Sequence, residues 1–531
     1  MTAIAPSTDI YLLKLPIELD DENQLTFASA SAQATYFQSL TKTSAEDTTY
    51  QRRDETIRYP AGIDSILQYN YVMYKNVNYS KKWFYARITN MAYVGDEMTA
   101  ISIEEDTFQT WQFDLVYSQC FVEREHVNDD TIGANTIDEG LELGEYTVNS
   151  SDTIKPDKVT KDAQNTTISR IYPIFFQVTQ LASGISIAES MFESSYNGIF
   201  SGLYFFAVTS EAAARSVIAR YAGHQEDIVA IFLAPKEYLD GANVFGELGY
   251  NIYIPKNQTV LSSLVANKTI TRPSTLNGYT PKNQKLFCWP FSYVSVTNNA
   301  GINTEFKFED FLNATPIFMM SGAIGQGCTT KLCPVGYKGS GANVERFDYG
   351  IVGAKYPICG WASDYYTNWC VQNAVNTPVK NMQAITGTAA NLATGNIGGI
   401  IGQIGGLLSE RHQAKLHPDQ AMGDTNSSDI LIGWQRYFTV NCMSVRAEIA
   451  RSIDEYLSAY GYKVNRIKTP NTQGRTNWNF VKTVGSAIHA YIPQNAVDKI
   501  NKMFDNGITL WHNASTFRDY SQSNTIVTPT P

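Results

Sequence analysis

Charged residues and histidine are scarce in this chain of 531 residues. Asp, Glu, Lys and Arg together make up 17% of it, whereas ordinary soluble globular proteins contain roughly 25%. Of the six histidines, only His412 and His417 are close in sequence, and their i, i+5 spacing does not place them on one helical face. We therefore predict no metal site.

Common enzyme signatures and cysteine motifs are also missing. The chain has no P-loop, no G-x-G-x-x-G, no G-x-S-x-G and no H-E-x-x-H, the usual signatures of phosphate, dinucleotide, acyl-transfer and zinc-hydrolase chemistry. Its seven cysteines contain no C-x-x-C pair, so neither a zinc site nor a secreted disulfide framework is expected. We predict that most are buried free thiols, and that Cys328 and Cys333 are a structural rather than a redox pair.

Adjacent carboxylates leave one enzymatic alternative open. Glu104-Glu105 and Asp129-Asp130 could serve a glycosidase if they stood at a defined separation in space. Acidic runs of this kind more often lie on a solvated surface. We predict that the protein is not an enzyme, and that it has no catalytic residues and no cofactor.

Positive charge is in deficit as well. The net charge is −10, and duplex DNA is held tightly only by clustered Lys and Arg. Specific DNA binding is therefore not expected, although an acidic wall would let DNA slide past. The N-terminus shows no basic region followed by an apolar run, so we predict no signal peptide and synthesis in a cytoplasm.

Apolar and aromatic residues are abundant instead, at 43% hydrophobic with 32 Tyr and 25 Phe. Several segments alternate in strand fashion, and Gly95-Asp96 supplies a hairpin turn between the first two. This pattern predicts a mainly β (α+β) fold. The predicted strands are Lys82–Val94, Met98–Ile103, Asp227–Ala234, Asn251–Ile254, Phe291–Thr297 and Thr304–Phe308.

A few packing helices complete the prediction. Ser210 can cap a helix that ends at Gly223, and a second helix covers Arg446–Tyr460. A third begins at Pro493 and stops at Asn506-Gly507. The predicted buried stripes of the last two helices are Ile449, Ile453, Leu457 and Tyr460, and Val497, Ile500 and Phe504. Between strands and helices, the polar stretch Glu123–Lys161 predicts a long excursion or a domain junction.

The segment Asn381–Ser409 is unlike an ordinary core because it has no charged residue and is rich in glycine. On a helix, six apolar residues would share one stripe at i, i+3, i+4 and i+7 spacing: Ile397, Ile400, Ile401, Ile404, Leu407 and Leu408. Six glycines occupy most of the remaining positions and repeat a G-x-x-x-G spacing: Gly395, Gly398, Gly399, Gly402, Gly405 and Gly406.

Whether this segment forms a helix depends on what surrounds it. Six interior glycines disfavour an isolated helix by roughly 5 kcal/mol, whereas burial of six Ile or Leu side chains contributes on the order of 9 to 18 kcal/mol. Copies of the same segment or a lipid bilayer could each supply that burial. A glycine-rich core helix or a flexible loop without a membrane role is the alternative.

Longer strings of sequence resemble a known family. Tyr460–Asn471 (YGYKVNRIKTPN) and Phe504–His512 (FDNGITLWH) resemble the C-terminal part of distal tail knob proteins of small short-tailed bacteriophages, the picovirus group that infects Gram-positive bacteria. Ile10–Phe27, Cys120–Val127 and Lys285–Gly301 support the same resemblance. It covers most of the chain outside Glu123–Lys161 and Ala182–Pro281.

The resemblance implies a structural virion protein at the tail tip. It implies a homohexameric ring of tail-tube-like β-barrel domains, other tail proteins as neighbours, and a channel through which genome DNA is ejected across the host envelope. It also implies long apolar loops that plug the lumen and then act on the host membrane. By composition and position, this role falls on the twelve Ile, Leu and Gly residues named within Asn381–Ser409.

On this basis we divide the chain into five parts and keep two other function classes open. The parts are an N-terminal tube region (1–125), an inserted outer or knob region (126–285), a central β region returning to the tube (286–380), the apolar loop (381–409) and a C-terminal region completing the tube (410–531). The first alternative is a receptor-binding adsorption protein that recognises a cell-wall glycan. The second is a peptidoglycan or polysaccharide hydrolase.

Overall fold

The computed structural model describes most of the chain. The described residues are 7–50, 55–76, 82–156, 158–178, 181–185, 195–196, 199–200, 204–221, 227–255, 262–322, 329–355 and 437–527. Strands dominate these residues, which confirms the predicted mainly β fold. Several predicted features, including the whole apolar segment Asn381–Ser409, lie outside them.

The strands are short to medium in length and are numbered in chain order. They are β1 Thr8–Leu13, β2 Asn23–Leu25, β3 Lys42–Thr48, β4 Thr56–Tyr59, β5 Tyr71–Asn76, β6 Phe84–Gly95, β7 Met98–Glu105, β8 Val116–Tyr117, β9 Cys120–Glu125, β10 Tyr146–Ile154, β11 Ile174–Val178, β12 Ser195–Tyr196, β13 Ile199–Phe200, β14 Tyr204–Val208, β15 Ile228–Leu233, β16 Asn243–Glu247, β17 Tyr250–Ile254, β18 Ser262–Thr269, β19 Ser292–Thr297, β20 Asn303–Phe306, β21 Ile317–Gly322, β22 Thr329–Val335, β23 Ile351–Lys355, β24 Phe438–Val445, β25 Tyr462–Lys468, β26 Trp478–Val484, β27 Ile488–His489 and β28 Ile508–Trp511.

The helices of the described residues are fewer. The α-helices are α1 Ala30–Ser39, α2 Ile63–Ile66, α3 Thr107–Trp111, α4 Glu211–Arg220, α5 Ala447–Tyr460 and α6 Gln494–Asn506. Single turns of 3-10 helix cover Lys236–Leu239, Gln284–Phe287, Phe308–Asp310, Phe347–Tyr349 and Ala514–Thr516.

The chain forms two compact units and passes between them four times. Unit 1 consists of Met1–Gly144, Tyr279–Cys288 and Ala447–Pro531. Unit 2 consists of Glu145–Gly278 and Trp289–Arg446. The short segment Tyr279–Cys288 therefore belongs to unit 1 although both of its chain neighbours belong to unit 2. The five-part division predicted from the sequence is drawn differently and stays a prediction.

Unit 1 is built on two sheets. One has the order β3-β1-β5-β6-β7-β4, the other β2-β28-β26-β9-β25, and β8 and β27 form a small additional pair. A buried apolar cluster joins Ile10 and Val72 of the first sheet to Val481 of the second and to Ile500 and Phe504 of α6. Because alternate strand residues point to opposite faces, each sheet contributes one apolar face to this core.

Unit 2 contains three larger sheets around one continuous apolar core. Their strand orders are β10-β24-β19-β20, β15-β11-β14-β17-β16 and β18-β21-β22-β23, and β12 pairs with β13. In the second sheet, β11 is buried along its whole length. Phe176 stacks on Phe206 of β14 with ring centroids 5.2 Å apart. Aromatic stacking thus reinforces the pairing of β11 with β14.

Most of the predicted periodic elements are confirmed, with small shifts. Ser210 caps α4 by accepting from the Ala213 N–H, and α6 ends at Gly507, whose φ of 100° suits glycine. The β6–β7 hairpin turns through Asp96-Glu97 rather than Gly95-Asp96, because Gly95 already pairs with Met98.

One sequence prediction is confirmed and another needs correction. Glu123–Lys161 was predicted to be a long excursion or a domain junction, and the boundary between the two units falls within it, at Gly144 and Glu145. The stretch also contains β10, which pairs with β24 along its whole length. On α5 the predicted stripe ended at Tyr460, which is exposed, whereas Ala450 and Asp454 are buried. The buried face of α5 is thus rotated toward a charged residue, and the reason lies in the contacts of Asp454.

Candidate functional site

The predicted membrane-active residues cannot be compared with the structure, because Asn381–Ser409 falls within 356–436, outside the described residues. Their role stays a prediction. Among the described helices, none is both long and apolar enough to cross a bilayer.

The best-packed histidine of the described residues, His126, has a structural role. The His126 ring is buried, its Nδ1 accepts from the Phe480 N–H at 2.8 Å, and its Nε2 lies 3.1 Å from the Ser458 carbonyl oxygen. Burial lowers the pKa of His126 to about 3, so the ring is neutral and Nε2 donates. The histidines of the weighed i, i+5 pair lie outside the described residues. In the described part of the chain, no group of three or more His, Cys, Asp or Glu side chains could hold a metal ion.

The described cysteines are buried free thiols, as predicted: Cys120, Cys288, Cys333 and Cys442. Burial raises the pKa of Cys333 to about 11, which opposes formation of the reactive thiolate. Its predicted neighbour Cys328 lies outside the described residues.

The adjacent carboxylates that were considered for a glycosidase activity have structural partners. Glu104 pairs with Lys499 at 2.7 Å, and Glu105 accepts from the Trp111 Nε1 at 2.8 Å. The Asp130 carboxylate accepts from the Tyr462 hydroxyl and from a backbone amide. These contacts hold the three side chains in place within the fold.

A cluster of carboxylates holds the segment Tyr279–Cys288 in unit 1. Asp454 on α5 is fully buried. It accepts from the Tyr279 hydroxyl at 2.8 Å, the Lys282 N–H at 2.7 Å, the Asn283 N–H at 3.0 Å and the Asn283 Nδ2 at 2.8 Å. One carboxylate therefore satisfies four donors of a segment that has no strand of its own, which explains why a charge is buried on α5.

Two further carboxylates anchor the rest of this segment. Glu139 is buried against Lys285 and Arg124, and it also accepts from the Lys463 N–H at 3.0 Å. Burial lowers the pKa of Lys285, and the Glu139 carboxylate opposes that shift. Asp130 accepts from the Gln284 N–H at 3.2 Å, and burial raises its pKa. Together, Asp130, Glu139 and Asp454 are the carboxylate cluster of unit 1.

A cavity of about 440 Å³ lies beside the carboxylate cluster in unit 1. Its walls include Asp130, Lys282, Arg475 and the C-terminal residues 521–526. Asn524 fixes the C-terminal residues there, because its Oδ1 accepts from the N–H groups of residues 477 and 478. Most of the residues that line it carry a hydroxyl, amide or charged group.

Two exposed surfaces of unit 1 combine apolar and charged side chains. The first, the hairpin tip, is the end of the β6–β7 hairpin and comprises Tyr93, Val94, Asp96, Glu97 and Met98. Tyr93 is 62%, Val94 52% and Met98 39% exposed. The Tyr93 hydroxyl donates to the Asp96 carboxylate at 2.6 Å.

The second surface, the apolar row, crosses three neighbouring strands. Phe121 of β9 lies opposite both Ile467 of β25 and Val484 of β26, so the three side chains share one face of the sheet. They are 39%, 74% and 56% exposed, respectively. A contiguous apolar row of this kind is characteristic of interaction surfaces. Sequence reasoning missed it because its members are far apart in the chain.

Comparison with known proteins points to bacteriophage tails. Residues 253–525 match the family model for the C-terminal domain of tail knob protein gp9 of Bacillus phage phi29. Residues 7–116 match the model for the N-terminus of the caudoviral major tail protein.

Individual relatives extend over nearly the whole chain. The chain is 24% identical to tail knob protein gp9 of Bacillus phage phi29 over 97% of its own length and 98% of the relative, and 23% identical to gp9 of Bacillus phage B103 over 98% of both. The solved tail knob protein gp12 of bacteriophage C1 has a similar fold, with a TM-score of 0.66 at 13% identity. That likeness covers 98% of this chain and 100% of the other.

Proposed function

This chain belongs to the phi29 gp9 family of bacteriophage tail knob proteins, and on that premise we propose that it forms a hexameric distal tail tube for genome ejection. As a tail knob protein it is a structural component of the virion, located at the tail among other tail proteins. The finer role, a ring that encloses a channel, is the proposal.

The observation that carries the proposal is the nearly full-length likeness to tail knob proteins in both sequence and fold. Two features of the molecule fit it. The N-terminal sheet of unit 1 lies in the region that matches a major tail protein, and exposed apolar surfaces are available for subunit contacts. The net charge of −10 fits passage of DNA, because an acidic wall repels phosphates and does not retain them.

Negative-stain microscopy of the purified protein, with its mass in solution, tests the ring. Hollow rings of about six subunits are expected, since head-to-tail contacts that close make cyclic assemblies. A compact monomer or trimer without a channel, at every concentration and with other tail proteins present, would contradict the proposal.

The proposed second role belongs to Asn381–Ser409. Six copies of its apolar stripe would bury one another in the lumen, and a host membrane would then compete for the same faces. Deletion of the segment is expected to leave soluble rings but to abolish dye release from liposomes. A variant with Ser at all six Ile and Leu positions should match the deletion, whereas one with Ala at the six Gly positions should keep activity. Unchanged leakage after deletion would refute the assignment.

Recognition of a cell-wall glycan is the second candidate function, and the cavity of about 440 Å³ is the observation that favours it. Its size and its hydroxyl and amide lining suit a small polar ligand. Soluble cell-wall fragments should then bind wild type and bind the Lys282→Ala variant at least about tenfold more weakly, since Lys282 lines the cavity through an exposed side chain. Absence of binding by wild type would leave no support for this candidate.

A further inference from the structure

The hairpin tip lies at one end of its sheet, where β4 pairs with β7 as far as Thr99. β5 pairs with β6 only over Phe84–Arg87, so from Thr89 to Gly95 the described neighbour of β6 is β7 alone. Its side chains from Ala92 to Val94 are exposed. A hairpin end with exposed apolar side chains, whose outer strand edge has no partner among the described residues, is suited to contact with another protein surface.

Both charged residues of the hairpin tip are acidic. Asp96 and Glu97 are exposed, and the segment Met91–Ala100 contains no Lys or Arg. Asp96 is engaged by the Tyr93 hydroxyl, whereas Glu97 makes no ion pair within the described part of the chain. The tip is thus an apolar and acidic surface.

The strand at the edge of the apolar row, β25, carries charges of the opposite sign. β25 contains Lys463, Arg466 and Lys468 and no acidic residue. Lys468 is paired with the buried Glu125. Arg466 precedes Ile467, is exposed, and forms no ion pair with any described residue. Arg466 pairs with the buried Val122, so its side chain starts on the face of the sheet opposite to that of Ile467. The apolar row therefore ends at a basic strand edge, with the charge beside the row and not within it.

We propose that the hairpin tip of one subunit docks on the apolar row of the next subunit. This inference rests on the proposed ring, and it names the contact that would close it. Both surfaces belong to unit 1, and they match in chemistry, apolar against apolar and acidic against basic. Because the two surfaces differ, the contact is head-to-tail, the kind that produces a ring when its rotation closes. A bilayer with anionic lipids suits the tip less well, since Asp96 and Glu97 would be repelled.

Charge reversal with rescue tests the contact. Glu97→Lys and Arg466→Glu should each raise the concentration needed for ring assembly by at least about tenfold, because each places like charges opposite one another. The double variant should recover most of the loss. Glu142→Lys is the matched control: it makes the same change in net charge at another exposed site of unit 1, and it should assemble like wild type. Unchanged far-UV circular dichroism and melting temperature establish that the variants fold.

A disulfide experiment gives a second readout that does not depend on affinity. Under oxidation, the variant carrying Val94→Cys and Ile467→Cys should give a ladder of covalent oligomers, since head-to-tail contacts link successive subunits. Each single variant should give at most dimers. Rings that form as in wild type with both charge-reversed variants, or a loss that the double variant does not recover, would overturn the contact and leave the ring intact. A wild-type protein that never forms rings would instead contradict the proposed function itself.

Discussion

Asp454→Ala is expected to release the segment Tyr279–Cys288 from unit 1. The substitution removes the acceptor of four hydrogen bonds at a fully buried position. The backbone N–H groups of Lys282 and Asn283 cannot turn toward solvent as side chains can. Each buried donor left without a partner costs about 1 to 3 kcal/mol, so the loss of the acceptor for these two amides should make local opening of the segment easier by roughly 2 to 6 kcal/mol.

Hydrogen–deuterium exchange followed by mass spectrometry measures this opening. The amides of Lys282 and Asn283 should exchange at least about 30 times faster in Asp454→Ala than in wild type, because each 1.4 kcal/mol is tenfold in an equilibrium constant. Tyr279→Phe removes one donor and leaves the carboxylate in place, so about 1 kcal/mol is expected. Glu455→Ala changes the next, exposed residue of α5 and should have little effect.

The reasoning is refuted if the two amides exchange at the wild-type rate in Asp454→Ala. It is also refuted if Glu455→Ala speeds their exchange equally, since the effect would then come from α5 as a whole. A local measurement is required because a chain with two compact units need not unfold in one step.

Two further predictions concern backbone space and pH. Gly461 and Gly485 have nearly the same φ, +67° and +66°. A Cβ at Gly461 would overlap the Glu125 carbonyl, whereas nothing lies near a Cβ at Gly485. Denaturant unfolding should therefore show that Gly461→Ala lowers the free energy of unfolding by about 3 kcal/mol or more and Gly485→Ala by about 1 to 2 kcal/mol. Burial lowers the pKa of His126 to about 3 and that of His512 to about 4. As the pH decreases below about 6.5 the unfolded chain therefore binds protons first, and the free energy of unfolding decreases by up to about 1.4 kcal/mol per pH unit for each histidine. Melting between pH 7 and 5 should show this decrease, and His126→Asn should make it about half as steep.

The parts of the fold that could be predicted from the sequence are those with a local periodicity of apolar residues. Val497, Ile500 and Phe504 recur at helical spacing, and all three are buried on α6. A helix face packed on one core is determined by its own residues, so it needs no knowledge of a distant partner. The β6–β7 hairpin is predictable for the same reason, because its partners are adjacent in the chain.

Elements defined by distant partners were not predictable in this way. Most side chains of β10 are exposed or half-buried, so it lacks apolar alternation, and it is a strand because it pairs with β24 almost 300 residues later. The carboxylate cluster is similar: Asp454 is charged and looks like a surface residue until the amides of Lys282 and Asn283 are placed against it. Phe121 and Ile467 of the apolar row likewise meet only through strand register.

Salt separates the two electrostatic effects that act on the proposed ring. Subunits of net charge −10 repel one another at long range, and about 0.15 M salt screens charges beyond roughly 8 Å. Wild-type assembly should therefore strengthen as salt is raised from low concentration, even though the local attraction between Glu97 and Arg466 weakens.

The variants of the proposed contact should respond to salt in different ways. The assembly defect of Glu97→Lys comes from like charges at the contact, so it should shrink at high salt. The defect of Ile467→Ser comes from lost apolar burial, which screening does not restore, and it should persist or grow. Sedimentation velocity over a range of salt concentrations measures both. Equal salt dependence of the two defects would mean that Glu97 and Ile467 do not act through a charged edge and an apolar row, and the proposed contact would have to be abandoned.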